Sequence, residues 1–524
     1  MTPYTGRRED QRLVSGHGQY TSDFNLPGQL HGGFLRSDHA HARIRSIDTT
    51  TARAAPGVRL VLTGADFANA GFRPLTPLAQ FPGRGGMKVR VPSRLPLAHE
   101  KVNFGGEAIA LVIADTAAAA RDATEMIVVD FEELPAVIGF DRALAAGGTV
   151  IHEGVPGNIT FDWDYGDEQK TADAIAKAAR VVKVTMESPR VAPTPMEPRA
   201  VLASYDRAAD RYTIRCEHQG LPAIRATIAQ VMSVDPAKIR MEFVDVGGAF
   251  GARMSPYAEY IALIHASKLV GAPVKWVSTR GEDFQNDGHG RAIRLTGELA
   301  LAPDGRFIAL RTNWLADSGA YHSQAGTLTN STNGKTMAAG PYVVDTLFGR
   351  HLQVMTNTAP TDAFRGAGRP EAAFVVERVV DEAAVAIGMD PIELRRRNVI
   401  PKEAMPYTTL TGTQLDSADF RGMLDAVERE SDWKSFPTRR AEAAKRGKLR
   451  GIGCGLFIEP SGGGGVPKDE AAVEFHDDGV IVLRIVAGAS GQSHETIFPQ
   501  LVGQWLGIDP ARIVLKAGDP AGPN

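Results

Sequence analysis

Short glycine-bearing turns recur in this chain where an apolar, strand-like run meets a helix. GGAFGARMSP occupies 247–256, and HQG at 218–220 enters PAIRATIAQVM. TDAFRGAGR at 361–369 enters PEAAFVVERVVDEAAVAIG, and AGASGQSHET at 487–496 follows GVIVLRIV. Glycine lets backbone approach a ligand closely. A helix N-terminus supplies unpaired N–H groups at the positive end of its dipole. Two of the turns add a glutamine, Gln219 and Gln492, able both to donate and to accept. Each turn taken singly is a tight strand-to-helix connection. Together they point to a large polar, anionic ligand held among several elements. None has the spacing GxxxxGK[ST] and none forms a full GxGxxG, so a dispersed site for an extended phosphorylated cofactor fits better than mononucleotide or Rossmann binding.

Helices must position these turns. After GGAFG, Ser255 is placed as an N-cap and Pro256 at the first helical position. Ile261, Ile264 and Leu269 then keep helical spacing until Gly271 and Pro273 end the helix. Pro222 and Pro370 open two further helices, the second with Val376, Val379, Val380 and Ala383 on its apolar face. The helix after GQSHET carries Leu501 and Trp505 on one side.

The wider pattern reads as an α+β and α/β multidomain chain. Residues 1–145 form a first α+β domain, with GFRPLTPLAQFPGRGGMKVRVPSRLP as a long surface loop. Residues 146–171, through NITFDWDYGDE, read as an irregular linker, and 172–410 as a larger α/β domain. A charged helical stretch then leads into a third unit, 411–524, which includes LRGIGCGLFIEPSGGGG and reads as cut short.

Composition narrows the function classes. A net charge of −3 without basic blocks disfavours a nucleic-acid partner, and no apolar run approaches a membrane span. Cys216 and Cys454 are the only cysteines, too few for an iron–sulfur cluster or a disulfide framework. A reducing, cytoplasmic setting follows. HxH at His39 and His41, or Asp287 with His289, could serve a conventional metal hydrolase, although such pairs arise easily by chance among 13 histidines.

The set of Gln219, GGAFG, AFRGAGR and GQSHET resembles the molybdenum-binding large subunit of the xanthine dehydrogenase and aldehyde oxidase family. GRREDQRLVSGHGQYTSDFNLPGQLHGGFLRSDHAHARI and VNFGGEAIALVIADTAAAARDA resemble its α/β-hammerhead domain, and VAPTPMEPRAVLASYD the start of its first cofactor-binding domain. The resemblance implies a hammerhead domain followed by two molybdopterin-binding domains, the last one truncated. It implies molybdenum held through a pterin dithiolene, with no direct protein metal ligand, in a cofactor often extended as molybdopterin cytosine dinucleotide. It also implies insertion of a water-derived oxygen into an aldehyde or a ring C–H beside nitrogen. Electrons would leave through iron–sulfur clusters and FAD on partner subunits.

By position, the resemblance assigns Gln219 to an oxo ligand of the metal and places Gly248, Ala249, Phe250 and Gly251 along the pterin. Arg365 falls on the substrate side, and Gly491, Gln492, Ser493 and His494 match a second cofactor loop. Blander roles stay open: Phe250 as a core aromatic, Arg365 as an ion-pair partner, Gln219 as a helix cap. Carbon monoxide dehydrogenases of the family carry a copper-binding cysteine where Gly366 stands, and purine hydroxylases a glutamate where Met254 stands. No base is assigned among Glu459, Asp469 and Glu495, because the late glutamate of the family lies in a further C-terminal region. The expectation is either that a separate chain supplies that region or that this is a non-catalytic fragment that binds cofactor or partner subunits.

Overall fold

The computed structural model describes residues 6–78, 80–460 and 470–518. The SGGGG run and Asp469 lie outside the described residues. Strand Ala108–Ala114 (AIALVIA) is buried along its whole length, which explains its uninterrupted apolar sequence. It pairs antiparallel with Leu30–Arg36 on one side and Val58–Thr63 on the other. Helix Ala117–Thr124, whose N-cap Thr116 accepts the Ala119 N–H at 3.1 Å, lies across this layer. Gly33 lets the helix lie close, because a Cβ there would stand 3.0 Å from the Ala120 carbonyl group. A second small sheet joins Lys101–Val102, Ala42–Asp48 and Val128–Glu133.

The first layer does not close on itself. Leu30–Arg36 also pairs, in parallel, with Val274–Val277, so one seven-stranded sheet runs through strands 239–242, 211–216, 200–206, 274–277, 30–36, 108–114 and 58–63. Helices Leu221–Met232 and Ala258–Val270 pack on it, and Leu111, Ile214, Ile228, Leu263 and Trp276 share one core. Each such side chain contributes about 1.5–3 kcal/mol by leaving water.

A five-stranded sheet follows the order 159–166, 346–354, 307–317, 293–301, 180–188, and helix Arg369–Ile387 packs against it. Its edge strand Ile159–Gly166 falls within the stretch read from sequence as an irregular linker. Phe161 and Trp163 alternate inward there, while the intervening aspartates disguise the pattern. The third unit contributes a three-stranded sheet of Ala471–Phe475, Ile481–Ile485 and Ile513–Ala517 with helix His494–Leu506.

Two local expectations are corrected. The helix after GGAFGARMSP begins at Ala258 with Tyr257 at its N-cap, so Ser255 and Pro256 precede it. The Tyr257 hydroxyl donates to the Ala252 carbonyl at 2.8 Å and accepts the Gly288 N–H at 3.2 Å, which ties this residue back to the loop. The face bearing Leu501 and Trp505 points outward, Trp505 being 75% exposed, while Thr496, Pro499 and Gly503 are the buried positions.

Candidate functional site

Three of the four glycine turns meet. The Gln219 side-chain oxygen accepts the Gly251 N–H at 2.6 Å, and the Gln219 N–H donates to the Arg253 carbonyl at 2.8 Å. The Arg365 N–H donates to the Phe250 carbonyl at 2.9 Å. Gly251 is the pivot: at φ +99° a Cβ would stand 2.5 Å from the Ala363 oxygen, so only glycine lets the two loops touch. Gln219 makes no capping bond to helix Leu221–Met232. Phe250, 40% exposed, is no core aromatic. The exposed Arg365 guanidinium has no hydrogen bond or ion pair among the described residues.

The backbone of the site is held in unusual conformations. Phe250 (φ 52°), Ala367 (φ 47°) and Ser493 (φ 67°) occupy the left-handed region without being glycine. Such strain persists where surrounding contacts impose it. Arg291 supplies part of that constraint, donating to the Phe364 carbonyl at 3.3 Å, the Arg365 carbonyl at 2.9 Å and Glu371 at 3.0 Å. Its guanidinium also lies 4.9 Å from the Phe364 ring centroid. Neither Arg291 nor Glu371 carries a recognisable sequence signal.

Beneath the loops lies a buried charge network. Glu197 accepts the Gly247 N–H at 2.7 Å and the Thr21 N–H at 3.3 Å, fixing the start of GGAFG. Burial, and then the nearby Glu217, push its carboxyl up to about 7. Glu217 is also raised by burial; it accepts the Tyr260 hydroxyl and lies 3.3 Å from Arg253. Arg253 reaches Asp287 at 3.3 Å, and the fully buried Arg199 meets Asp287 at 2.7 Å, Asp283 at 3.3 Å and Glu259 at 3.4 Å. Arg36 closes the chain on Glu259 at 2.8 Å, and with Arg199 it holds that carboxyl down to about 2 against the opposing effect of burial.

The fourth turn approaches by its leading edge. A Cβ on Gly488 would stand 2.6 Å from the Phe243 ring and 3.0 Å from His218, so this strand end abuts the residue before Gln219. Gln492, Ser493 and His494 make mainly local contacts. Gln492 accepts the Ser490 N–H at 2.5 Å, and the His494 ring nitrogen lies 3.2 Å from the Ala487 carbonyl. None of the three bonds Gln219, Phe250 or Arg365 among the described residues.

Unsatisfied groups mark what the face can hold. The N–H groups of Gly248, Ala249 and Phe250 find no acceptor among the described residues. The buried His218 ring leaves both nitrogens unpartnered, and burial lowers its pKa to about 4, so it is neutral. A Cβ on Gly220 or Gly491 would meet nothing within 4 Å. Free donors beside open space suit a polar, oxygen- and nitrogen-rich guest.

The simple metal-site alternative fares differently. Asp287 is committed to two arginines, and the half-buried His289 has one ring nitrogen 3.0 Å from the Phe284 carbonyl. His41 lies 2.9 Å from the Pro135 carbonyl. Among the described residues no group of three or more His, Cys, Asp or Glu is arranged to hold a metal ion. Likewise, no helix among them is long and apolar enough to cross a membrane.

Comparison with known proteins identifies the domains that carry these turns. Residues 15–135 match the aldehyde oxidase and xanthine dehydrogenase a/b hammerhead domain, and 151–399 and 426–522 each match a molybdopterin cofactor-binding domain. The carbon monoxide dehydrogenase large chain of Hydrogenophaga pseudoflava is 34% identical over 99% of this chain and 66% of its own length. The nicotine 6-hydroxylase large subunit of Paenarthrobacter nicotinovorans is 32% identical over 98% of this chain and 63% of its own. The crystal structure of quinoline 2-oxidoreductase from Pseudomonas putida 86 superposes with a TM-score of 0.91 at 33% identity, covering 98% of this chain and 66% of that one. The chain thus spans about two thirds of the length of these relatives. With its hammerhead, two cofactor-binding domains and converging glycine turns, the chain belongs to the xanthine dehydrogenase and aldehyde oxidase family of molybdopterin-binding subunits.

Proposed function

We propose that this chain forms the cofactor-binding part of a molybdenum hydroxylase. Its substrate would be an aldehyde or an N-heteroaromatic C–H, and its electrons would pass to iron–sulfur and FAD partner subunits in the cytoplasm. The observation that carries the reading is the contact of Gln219, GGAFG and AFRGAGR through Gly251, which leaves three neighbouring amides without acceptors. The cofactor, when bound, supplies the redox chemistry and the activated oxygen. Gly248, Ala249 and Phe250 would hold it through their free N–H groups, and Gln219, whose side-chain oxygen is taken by Gly251, would offer it the amide hydrogens. Gly491, Gln492, Ser493 and His494 would form a second holding loop, and the cofactor would be the cytosine dinucleotide form. The unpaired Arg365 guanidinium orients a substrate carbonyl or ring nitrogen.

Carbon monoxide is not the substrate in this reading. Copper needs a soft ligand, and Gly366 stands at the family's cysteine position. At φ +96° a Cβ there would lie 2.3 Å from Pro370, so the loop is built around glycine. We also propose 1–145, 172–410 and 411–524 as the working domains, with 146–171 joined to the second of them because its strand Ile159–Gly166 is an edge of the five-stranded sheet.

The test is co-purification with the neighbouring subunits, followed by molybdenum and pterin assay and dye reduction with aldehydes, N-heteroaromatics and carbon monoxide. Stoichiometric pterin with turnover of either of the first two classes supports the reading. Turnover of carbon monoxide alone, or a chain without pterin, refutes it.

A further inference from the structure

Two of the cofactor-facing turns are joined by a residue from a distant part of the chain. Arg12, on helix Arg8–Val14, donates through Nη1 to Asp245 at 2.5 Å and through Nη2 to the other Asp245 oxygen at 3.0 Å. The same Nη2 donates to Glu495 at 2.7 Å. Asp245 lies two residues before Gly247, at the start of GGAFG, and Glu495 directly follows His494 in the GQSHE turn. One planar guanidinium therefore spans the two loops, a geometry that the single ammonium of lysine does not reproduce.

The neighbours of Arg12 make the bridge a built junction. The Arg8 N–H donates to the Thr496 hydroxyl at 2.8 Å, and that hydroxyl donates to the buried Glu9 carboxylate at 2.6 Å. The Arg8 guanidinium reaches the Pro510 and Ile513 carbonyls at 2.7 and 3.1 Å. On the other side, Asp245 accepts the Gln19 N–H at 2.6 Å and its own N–H donates to the Gln19 carbonyl at 2.9 Å. The segment from Arg8 to Gln19 thus grips the third unit at one end and the GGAFG stem at the other. The third unit's strands form a sheet separate from the seven- and five-stranded sheets, so its placement over the site depends on such junctions.

We propose that Arg12 is a positioning residue that couples the GGAFG and GQSHE loops and sets the spacing between the two halves of the cofactor site. Its importance for the cofactor rests on the reading of these turns given above; the coupling itself does not.

Hydrogen–deuterium exchange on the 524-residue chain tests the coupling, read separately at 247–251, through the Gly247 and Gly251 amides that bond Glu197 and Gln219, and at 488–495. Glu495→Gln is the primary variant, because it alters a partly exposed carboxylate in one loop only. It is expected to raise exchange about fivefold in the other loop, 247–251, through Arg12. Arg12→Ala is expected to raise exchange in both loops, and Arg12→Lys to restore part of the protection. In the complex with partner subunits, Arg12→Ala is expected to release pterin about tenfold faster than wild type, read by the fluorescence of the oxidised pterin. Exchange that changes only at 488–495 in Glu495→Gln overturns the proposal, and this variant decides the matter if Arg12→Ala fails to fold. A complex without pterin but with coupled exchange would refute the cofactor reading alone. Pterin release unchanged by Arg12→Ala, with exchange uncoupled, would refute the Arg12 coupling alone.

Discussion

Gly251 and Gly491 separate two reasons for using glycine. At Gly251 a methyl group would collide with the Ala363 carbonyl. Gly251→Ala is therefore expected to destabilise the chain by about 3 kcal/mol, from overpacking and positive-φ strain together, as measured by urea unfolding. At Gly491 a methyl group would enter open space at φ +115°. Gly491→Ala is expected to cost less than Gly251→Ala but, on the proposed reading of this turn as a cofactor loop, to lower pterin content sharply; equal losses of stability would contradict this distinction. Glu197 gives a pH signature. Its carboxyl is raised from 4.5 to about 7, so the folded state binds the proton more tightly than the unfolded one. The stabilisation from that proton is full below pH 4.5 and is lost as pH rises through 7. The buried His218 and His322 and the half-buried His152 and His289, all lowered to about 4 by desolvation, slope the opposite way, so the comparison must be a difference. Glu197→Gln is expected to gain stability relative to wild type between pH 5 and pH 7, read as the shift in midpoint between variant and parent. A flat difference would place the proton elsewhere. The glycines and Gln219 were visible in the sequence because backbone approach demands one residue type. Glu197 and Arg291 were not, since an acid or arginine placed by tertiary contact looks like any surface charge.

The elements were legible where period and punctuation agreed. Helix Arg369–Ile387 opens beside Pro370, keeps Val376, Val379, Val380 and Ala383 inward, and ends on Gly388 in the left-handed region. Strand Ile159–Gly166 escaped because its outward aspartates sit among glycines and prolines, as in a linker. Helix Ala258–Val270 is apolar almost all round, so its start cannot be set by an amphipathic stripe; Tyr257, tied to Ala252 and Gly288, sets it instead. Its Glu259 is fully buried and faces Arg199 and Arg36. Removing one member of such a network strands the others without water. Arg199→Met is expected to cost about 3–5 kcal/mol by leaving Glu259, Asp283 and Asp287 short of a cation. Arg59→Ala, which breaks an exposed pair with Asp115, should not measurably change the same unfolding curve. Similar curves for both variants would mean that the buried cluster is hydrated rather than dry.

At the scale of the molecule, the hammerhead and the first cofactor-binding region are parts of one sheet. The sequence showed where composition changes but not that Leu30–Arg36 continues into Val274–Val277, because strand partners some 240 residues apart leave no local trace. Packing at this seam is close: a Cβ on Gly32 would stand 2.5 Å from Leu263, and Phe34 meets Trp276 edge-on at 5.2 Å. Ile228, Leu263 and Trp276 thus share a core with Phe34, Phe67 and Leu111 from the other side. A fragment of residues 146–410 would leave that apolar face in water. It is expected to bind a hydrophobic dye, to aggregate on concentration, and to melt without a sharp transition. Co-expression with residues 6–145 should restore a soluble pair, because the missing strands then dock in trans. A monomeric 146–410 fragment with a cooperative melt would show that the seam is an ordinary domain contact. In that case the hammerhead would not help to hold helix Ala258–Val270, or the loop before it, in place.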